Sequence, residues 1–140
     1  MIDINPILHE TRENINWYRK NNKTSTIDKF MDCRTRIVTN NFLLAECLAE
    51  IKTDYNSCYF SRKIEISKSK NALIKEKHLT VTHAESEANI INEDIIRAEL
   101  ENESAAYRLE LFIKHSGNVA DDLMQRISVL KKEYDNNKGL

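Results

Sequence analysis

A run of basic residues between positions 62 and 77 carries the clearest potential for binding chemistry. It holds six basic and two acidic residues, a net charge of +4. Lysine and arginine at these intervals can line one face of a helix and neutralise phosphates, which is the basis of binding to nucleic acid without reading its sequence. The candidate nucleic-acid-binding residues are Arg62, Lys63, Lys68, Lys70, Lys75 and Lys77.

Three aromatic residues directly precede this basic run. Tyr55, Tyr59 and Phe60 could stack on unpaired bases, and the two tyrosines are the candidates for base stacking. The alternative is that Tyr55 and Tyr59 pack against a neighbouring helix, because both fall on the apolar stripe of their own helix.

The stretch between positions 83 and 110 has the opposite charge. It holds eight acidic and two basic residues, a net charge of −6. If the chain folds back on itself, this stretch lies across from the basic run, and the two can pair and set the register of the helices. In a different functional hypothesis, the acidic face around Glu85–Glu103 docks a basic protein, as in a phage assembly or host-inhibitory factor.

The sequence gives little support for catalysis, and we expect no enzyme, no cofactor and no metal site. His78 and His83 are five positions apart, which is the wrong interval for two ligands on one helical face. No serine lies in a nucleophile-elbow pattern with its glycines. A helical enzyme would need histidines and carboxylates to converge from distant parts of the chain.

The composition predicts an all-α protein. The 140 residues include only 2 glycines and 1 proline, where average usage gives roughly 17. Folds rich in strands use both residues in their turns, so the deficit argues against sandwiches, barrels and doubly wound sheets. With hydrophobic residues at 41%, the chain has enough apolar material for a core and is predicted to form a single domain over 1–140.

The apolar spacing predicts an elongated antiparallel helical hairpin with coiled-coil-like packing, preceded by a short helix. The predicted bounds are 6–20 for the short helix, 27–76 and 83–134 for the long helices, and 135–140 for a frayed tail. The turn is placed between Lys77 and Thr82, where Thr82 and Glu85 fit a capping box. Gly117 is the one residue that could break the second long helix, and a break there would give four helices.

One end of this hairpin carries more apolar surface than two helices can cover. We therefore expect a homo-oligomer in which helices from other copies pack on that end. In the alternative, the N-terminal helix covers it alone and the protein is a monomeric three-helix bundle. The candidate interface residues are Phe30, Ile37, Leu44, Phe112, Val119 and Leu123.

The cysteines and the absence of apolar runs bear on location. Three cysteines with no C-x-x-C pair are typical of a reduced intracellular protein. The sequence shows no leader and no run of about 18 apolar residues, so we expect a cytoplasmic protein with no membrane partner. The net charge of −1 restricts any nucleic-acid contact to a local patch.

The layout from Tyr55 to Glu133 resembles the UvsY-like recombination mediators of tailed bacteriophages. The features that carry the resemblance are Tyr55 and Tyr59 leading into the basic run, a short turn, and a long second helix that ends on residues 127–133. The resemblance implies a phage protein, active in the host cytoplasm, that forms an oligomeric ring of helical hairpins. It also implies binding to single-stranded DNA and loading of a recombinase onto strands coated with single-strand-binding protein. On this resemblance, the phosphate contacts are made by Arg62, Lys63, Lys68 and Lys70.

Overall fold

The protein is all-α, as its composition predicts. A computed structural model describes residues 2–138, and within that part of the chain there are four helices and no strand. The helices are α1 (Asn5–Asn21), α2 (Ile27–Lys77), α3 (Val81–Ile91) and α4 (Glu93–Lys138). Helix α2 packs antiparallel to α3 and α4, so the predicted helical hairpin with a short N-terminal helix is confirmed.

The turn of the hairpin is made without glycine. Helix α2 ends at Lys77, and His78 takes the left-handed conformation, with φ of 53°, that glycine usually supplies at a helix end. The N-cap of α3 is Thr80, whose hydroxyl accepts a hydrogen bond from the His83 backbone N–H at 3.3 Å. The expected cap at Thr82 is therefore wrong by two residues, because the helix has already started at Val81.

The second predicted helix is interrupted at Asn92 and not at Gly117. The Asn92 side chain donates to the Ala88 carbonyl at 2.8 Å and to the Ser69 hydroxyl of α2 at 3.0 Å. These bonds hold a break between α3 and α4 where the single helix 83–134 was expected. Gly117 lies inside α4, and a Cβ at that position would meet nothing within 4 Å.

The C-terminal end of the chain is more helical than expected. A frayed tail was predicted at 135–140, but α4 continues through Lys138. The last two residues of that predicted tail, 139 and 140, lie outside the described residues.

The helices are divided between two compact units. Unit 1 contains the chain up to Leu48 and from Leu109 onward, and unit 2 contains Ala49–Arg108. Unit 1 thus holds α1 with the first part of α2 and the last part of α4, whereas unit 2 holds the rest of those two long helices with all of α3. The expectation of a single domain stays a prediction.

Unit 1 has a continuous apolar core. Its buried residues come from all three helices and include Ile15 of α1, Cys33 of α2 and Ile127 of α4. The rings of Trp17 and Tyr18 meet Phe30 edge to face, with centroids 5.9 and 6.0 Å apart. Helix α1 therefore covers the apolar end of unit 1 itself, as the three-helix alternative predicts.

This packing corrects the candidate oligomer interface. Five of its six residues are buried inside the core of unit 1, so a second copy has no access to them. They are Phe30, Ile37, Leu44, Val119 and Leu123. The sixth, Phe112, is half-buried and its ring lies 5.3 Å beneath the guanidinium of Arg12.

Unit 2 has a smaller apolar core and a more polar contact between its helices. Leu73 packs with Ala84 and Ala88 next to the hairpin turn. Farther along, the contact includes the Asn102 side-chain amide, which lies 3.4 Å from the Cys58 sulfur. Unit 2 contains the whole basic run and most of the acidic stretch.

Candidate nucleic-acid interface

Two of the six candidate basic residues are used to join the helices of unit 2. The Arg62 guanidinium forms a two-bonded ion pair with Glu99, in which the Nη2–Oε1 distance is 3.3 Å. The Lys70 ammonium lies 2.8 Å from the Glu85 carboxylate. These contacts match the alternative in which opposite charges pair across the helices and set their register.

The Arg62–Glu99 pair is largely removed from solvent. The side chain of Arg62 is 27% exposed and that of Glu99 is 11% exposed. The hydrogen bond to Glu99 raises the pKa of Arg62 above its usual value. The guanidinium also lies over the Tyr59 ring, 5.3 Å from its centroid. An arginine held on two sides in this way positions helices, and it is poorly placed to bind a phosphate in solvent.

The other four candidate basic residues remain exposed. Lys63 lies 4.6 Å from the Tyr59 ring centroid, and Lys68 makes a loose ion pair with Glu65 at 3.6 Å. Lys75 and Lys77 lie in the last turn of α2 and have no ion pair within residues 2–138. These four ammonium groups can reach a ligand without breaking a contact between helices.

Both candidate tyrosines are in contact with other side chains of α2. Tyr55 and Tyr59 are both half-buried, and their rings contact each other with centroids 6.5 Å apart. Tyr59 also supports the cations of Arg62 and Lys63. These contacts favour the packing alternative for both tyrosines, and base stacking by them stays a prediction.

Of the three aromatic residues that precede the basic run, Phe60 is the one that faces solvent. It is 62% exposed, and Ile64, one helical turn farther on, is 53% exposed. Intervals of four and seven residues place Phe60, Ile64, Lys68 and Lys75 on one face of α2. We call this face the outer face of α2. We group Lys63 and Lys77 with it because both are exposed, although they point to other sides of the helix, about 140° and 180° from Lys68.

Several residues of the acidic stretch form ion pairs within unit 2. In addition to Glu99 and Glu85, Glu93 pairs with Arg97 at 2.9 Å and Glu87 lies 3.6 Å from His83. The exposed acidic residues of this stretch that make no ion pair within the described chain are Asp94, Glu101 and Glu103.

The sequence interpretation missed an exposed face on α4. Leu100 and Tyr107 are 57% and 63% exposed, and they lie seven residues apart on the side of α4 that points away from α2. The sequence signal is a single apolar pair out of phase with the Ala98–Ala105 row, since Glu93 and Lys114 occupy the next positions at this spacing. It becomes visible only once the phase of α4 against α2 is known.

The described chain contains neither a metal-ligand cluster nor a helix that could span a membrane. No group of three or more His, Cys, Asp and Glu residues within 2–138 could hold a metal ion. None of the helices there combines the length and apolarity that crossing a bilayer requires. Comparison with protein-family models, with curated proteins and with solved structures gives no match.

Proposed function

We propose that the protein binds single-stranded DNA through the outer face of α2. The observation that carries this proposal is the exposed Phe60 ring beside lysines that no interhelical ion pair uses. Stacking tolerates any base because every base has a π-face, and exposed lysines near Phe60 neutralise the phosphates. Binding of this kind is independent of DNA sequence.

The expected strength follows from the contacts available. One base stacked on Phe60 contributes about 1–3 kcal/mol. Four lysines neutralising four phosphates give a slope of about −3 for log K against log salt concentration, at about 0.7 per phosphate for a single strand. The residues from Phe60 to Lys77 extend over about 25 Å of helix. An oligonucleotide meets all four lysines only if it crosses from one side of α2 to the other, because Lys68 and Lys77 are about 180° apart around the helix.

The biological role that we propose is that of a phage recombination accessory, without enzymatic activity, in the host cytoplasm. It rests on the resemblance to UvsY-like mediators. In that role the protein is a homo-oligomer that loads a recombinase onto strands coated with single-strand-binding protein. Several copies of one weak site would raise the overall affinity through effective concentration.

The direct test is oligonucleotide binding at several salt concentrations. The binding variant carries Lys68→Ala, Lys75→Ala and Lys77→Ala, which leave both interhelical ion pairs intact. We expect its affinity to fall and its salt slope to flatten from about −3 to about −1, since one lysine of the four remains. A Phe60→Ala variant should lose affinity with the slope unchanged.

The matched control removes the same charge elsewhere. It replaces three exposed lysines of unit 1 with alanine, namely Lys114, Lys131 and Lys132. The proposal requires this control to bind like the parent protein. Equal losses in both triple variants, or no salt-dependent binding by the parent, would overturn it.

A further inference from the structure

The face of α4 that points away from α2 has no partner in unit 2. It presents Leu100, Glu101, Ser104, Tyr107 and Arg108, all of them exposed. Residues between Arg97 and Arg108 line a shallow groove of about 400 Å³ along this face. We call these residues the outer face of α4.

The charges on this face are arranged in a particular order. A line drawn along the helix axis through Ser104 divides this face into two sides. Glu101 and Arg108 lie on the same side of that line, two turns apart, because seven residues return nearly to the same angle on a helix. Neither residue makes an ion pair within the described chain. They are too far apart along the helix to pair with each other, at about 10 Å of rise.

We propose that the outer face of α4 binds the same face of a second copy, with the two helices antiparallel about a twofold axis near Ser104. A twofold contact is self-complementary, so a residue at one end of the face meets the residue at the opposite end of its partner. Two copies placed in this way bring Glu101 against the partner's Arg108 and Arg108 against the partner's Glu101. One symmetry operation thus forms two ion pairs, and these use all four charges.

The apolar residues satisfy the same symmetry. Leu100 and Tyr107 lie on the other side of Ser104, so each Leu100 meets the ring of the partner's Tyr107. At the axis the small side chain of Ser104 lets the two helices approach to the 8–10 Å that packed helices require. Charged residues on one flank of an apolar contact also fix the orientation of paired helices, and here they favour the antiparallel one.

This contact is independent of DNA binding. The outer faces of α2 and α4 point in opposite directions from the contact between the two helices, so association through α4 leaves Phe60 and its lysines accessible. The dimer consequently presents two copies of the proposed DNA site.

Charge reversal tests the proposal with matched variants. Glu101→Arg sets four positive residues against one another across the contact, and Arg108→Glu sets four negative ones. We expect sedimentation equilibrium to give twice the chain mass of 16.4 kDa for the parent and the single chain mass for each variant. The double variant Glu101→Arg/Arg108→Glu restores the complementary order, so its mass should return to that of the dimer.

Mixing the two single variants provides a second measurement. One copy then has only arginine and the other only glutamate at these positions, so an equimolar mixture should form a heterodimer that neither forms alone. Circular dichroism of each variant should match that of the parent, because both positions are exposed. A monomeric parent, or single variants with the mass of the parent, would overturn the proposal. Loss of DNA binding alone would leave it standing.

Discussion

Removing one partner of the Arg62–Glu99 pair should cost unit 2 more stability than removing one partner of any exposed ion pair. An exposed pair contributes about 0–1 kcal/mol, whereas removing one partner of a fully buried pair costs about 3–5 kcal/mol. Arg62 and Glu99 are 27% and 11% exposed, so this pair lies between the two limits and nearer to the buried one. Arg62→Ala leaves the Glu99 carboxylate without its partner at a position where that side chain is only 11% exposed, and we expect it to lower the free energy of unfolding by about 2–3 kcal/mol.

Urea unfolding followed by circular dichroism measures this change. The matched control is Lys68→Ala, because Lys68 and its partner Glu65 are 70% and 45% exposed. It should change the free energy of unfolding by about 0.5 kcal/mol or less. A double variant Arg62→Met/Glu99→Leu removes both charges and should be within about 1 kcal/mol of the parent. A cost below about 0.5 kcal/mol for Arg62→Ala would refute the reasoning, since the pair would then behave as a surface contact.

Three further predictions concern single positions. Gly117→Ala should raise the free energy of unfolding by about 1 kcal/mol in the same urea assay, because the helix gains propensity and the added Cβ meets nothing within 4 Å; a loss of stability would contradict this. Thr11→Val removes the acceptor of a buried 3.2 Å hydrogen bond from the Asn40 amide, so we expect the free energy of unfolding measured in urea to fall by about 1–3 kcal/mol. An unchanged free energy of unfolding would contradict this and mean that the Asn40 amide bonds to water instead. Burial raises the pKa of the Cys33 thiol from 9.0 to about 11, so a thiol reagent at about pH 8 should modify the half-buried Cys58 first. The folded chain keeps the Cys33 thiol proton in a pH range where the unfolded chain loses it. The stability that Cys33 contributes in this way is complete below pH 9.0 and is lost as the pH rises towards about 11. Equal labelling rates for Cys33 and Cys58 would contradict the burial of Cys33.

The helices could be predicted from the sequence because their signals are local. The scarcity of glycine and proline indicates an all-α fold, and the periodicity of the first long helix places it at 27–76, within one residue of α2. The break at Asn92 has no comparable signal. Ala88 and Ile95 continue the seven-residue spacing across the break. A hydrogen bond that stabilises the break runs from Asn92 to Ser69, which lies on another helix.

The candidate site could be predicted as a region but not as a set of residues. The charge counts identify the basic run, which lies in unit 2, and the acidic stretch, most of which lies there. Which lysines remain free depends on the register of α2 against α4, and this register brings Glu99 to Arg62 and Glu85 to Lys70. The preference for Phe60 over Tyr59 as the exposed ring depends on the rotation of α2, which decides which side faces α4.

This division of the basic residues determines how the proposed function can be tested. Replacing the whole basic run at once would remove Arg62 and Lys70 together with the free lysines. Unit 2 would then lose the ion pairs that join its helices, and DNA binding would disappear whether or not the DNA contacts those residues. Variants restricted to Lys68, Lys75 and Lys77 separate the two effects, because stability depends on the paired cations and salt-dependent binding depends on the unpaired ones. If these variants keep the stability of the parent and lose its affinity, the DNA-binding surface is the outer face of α2.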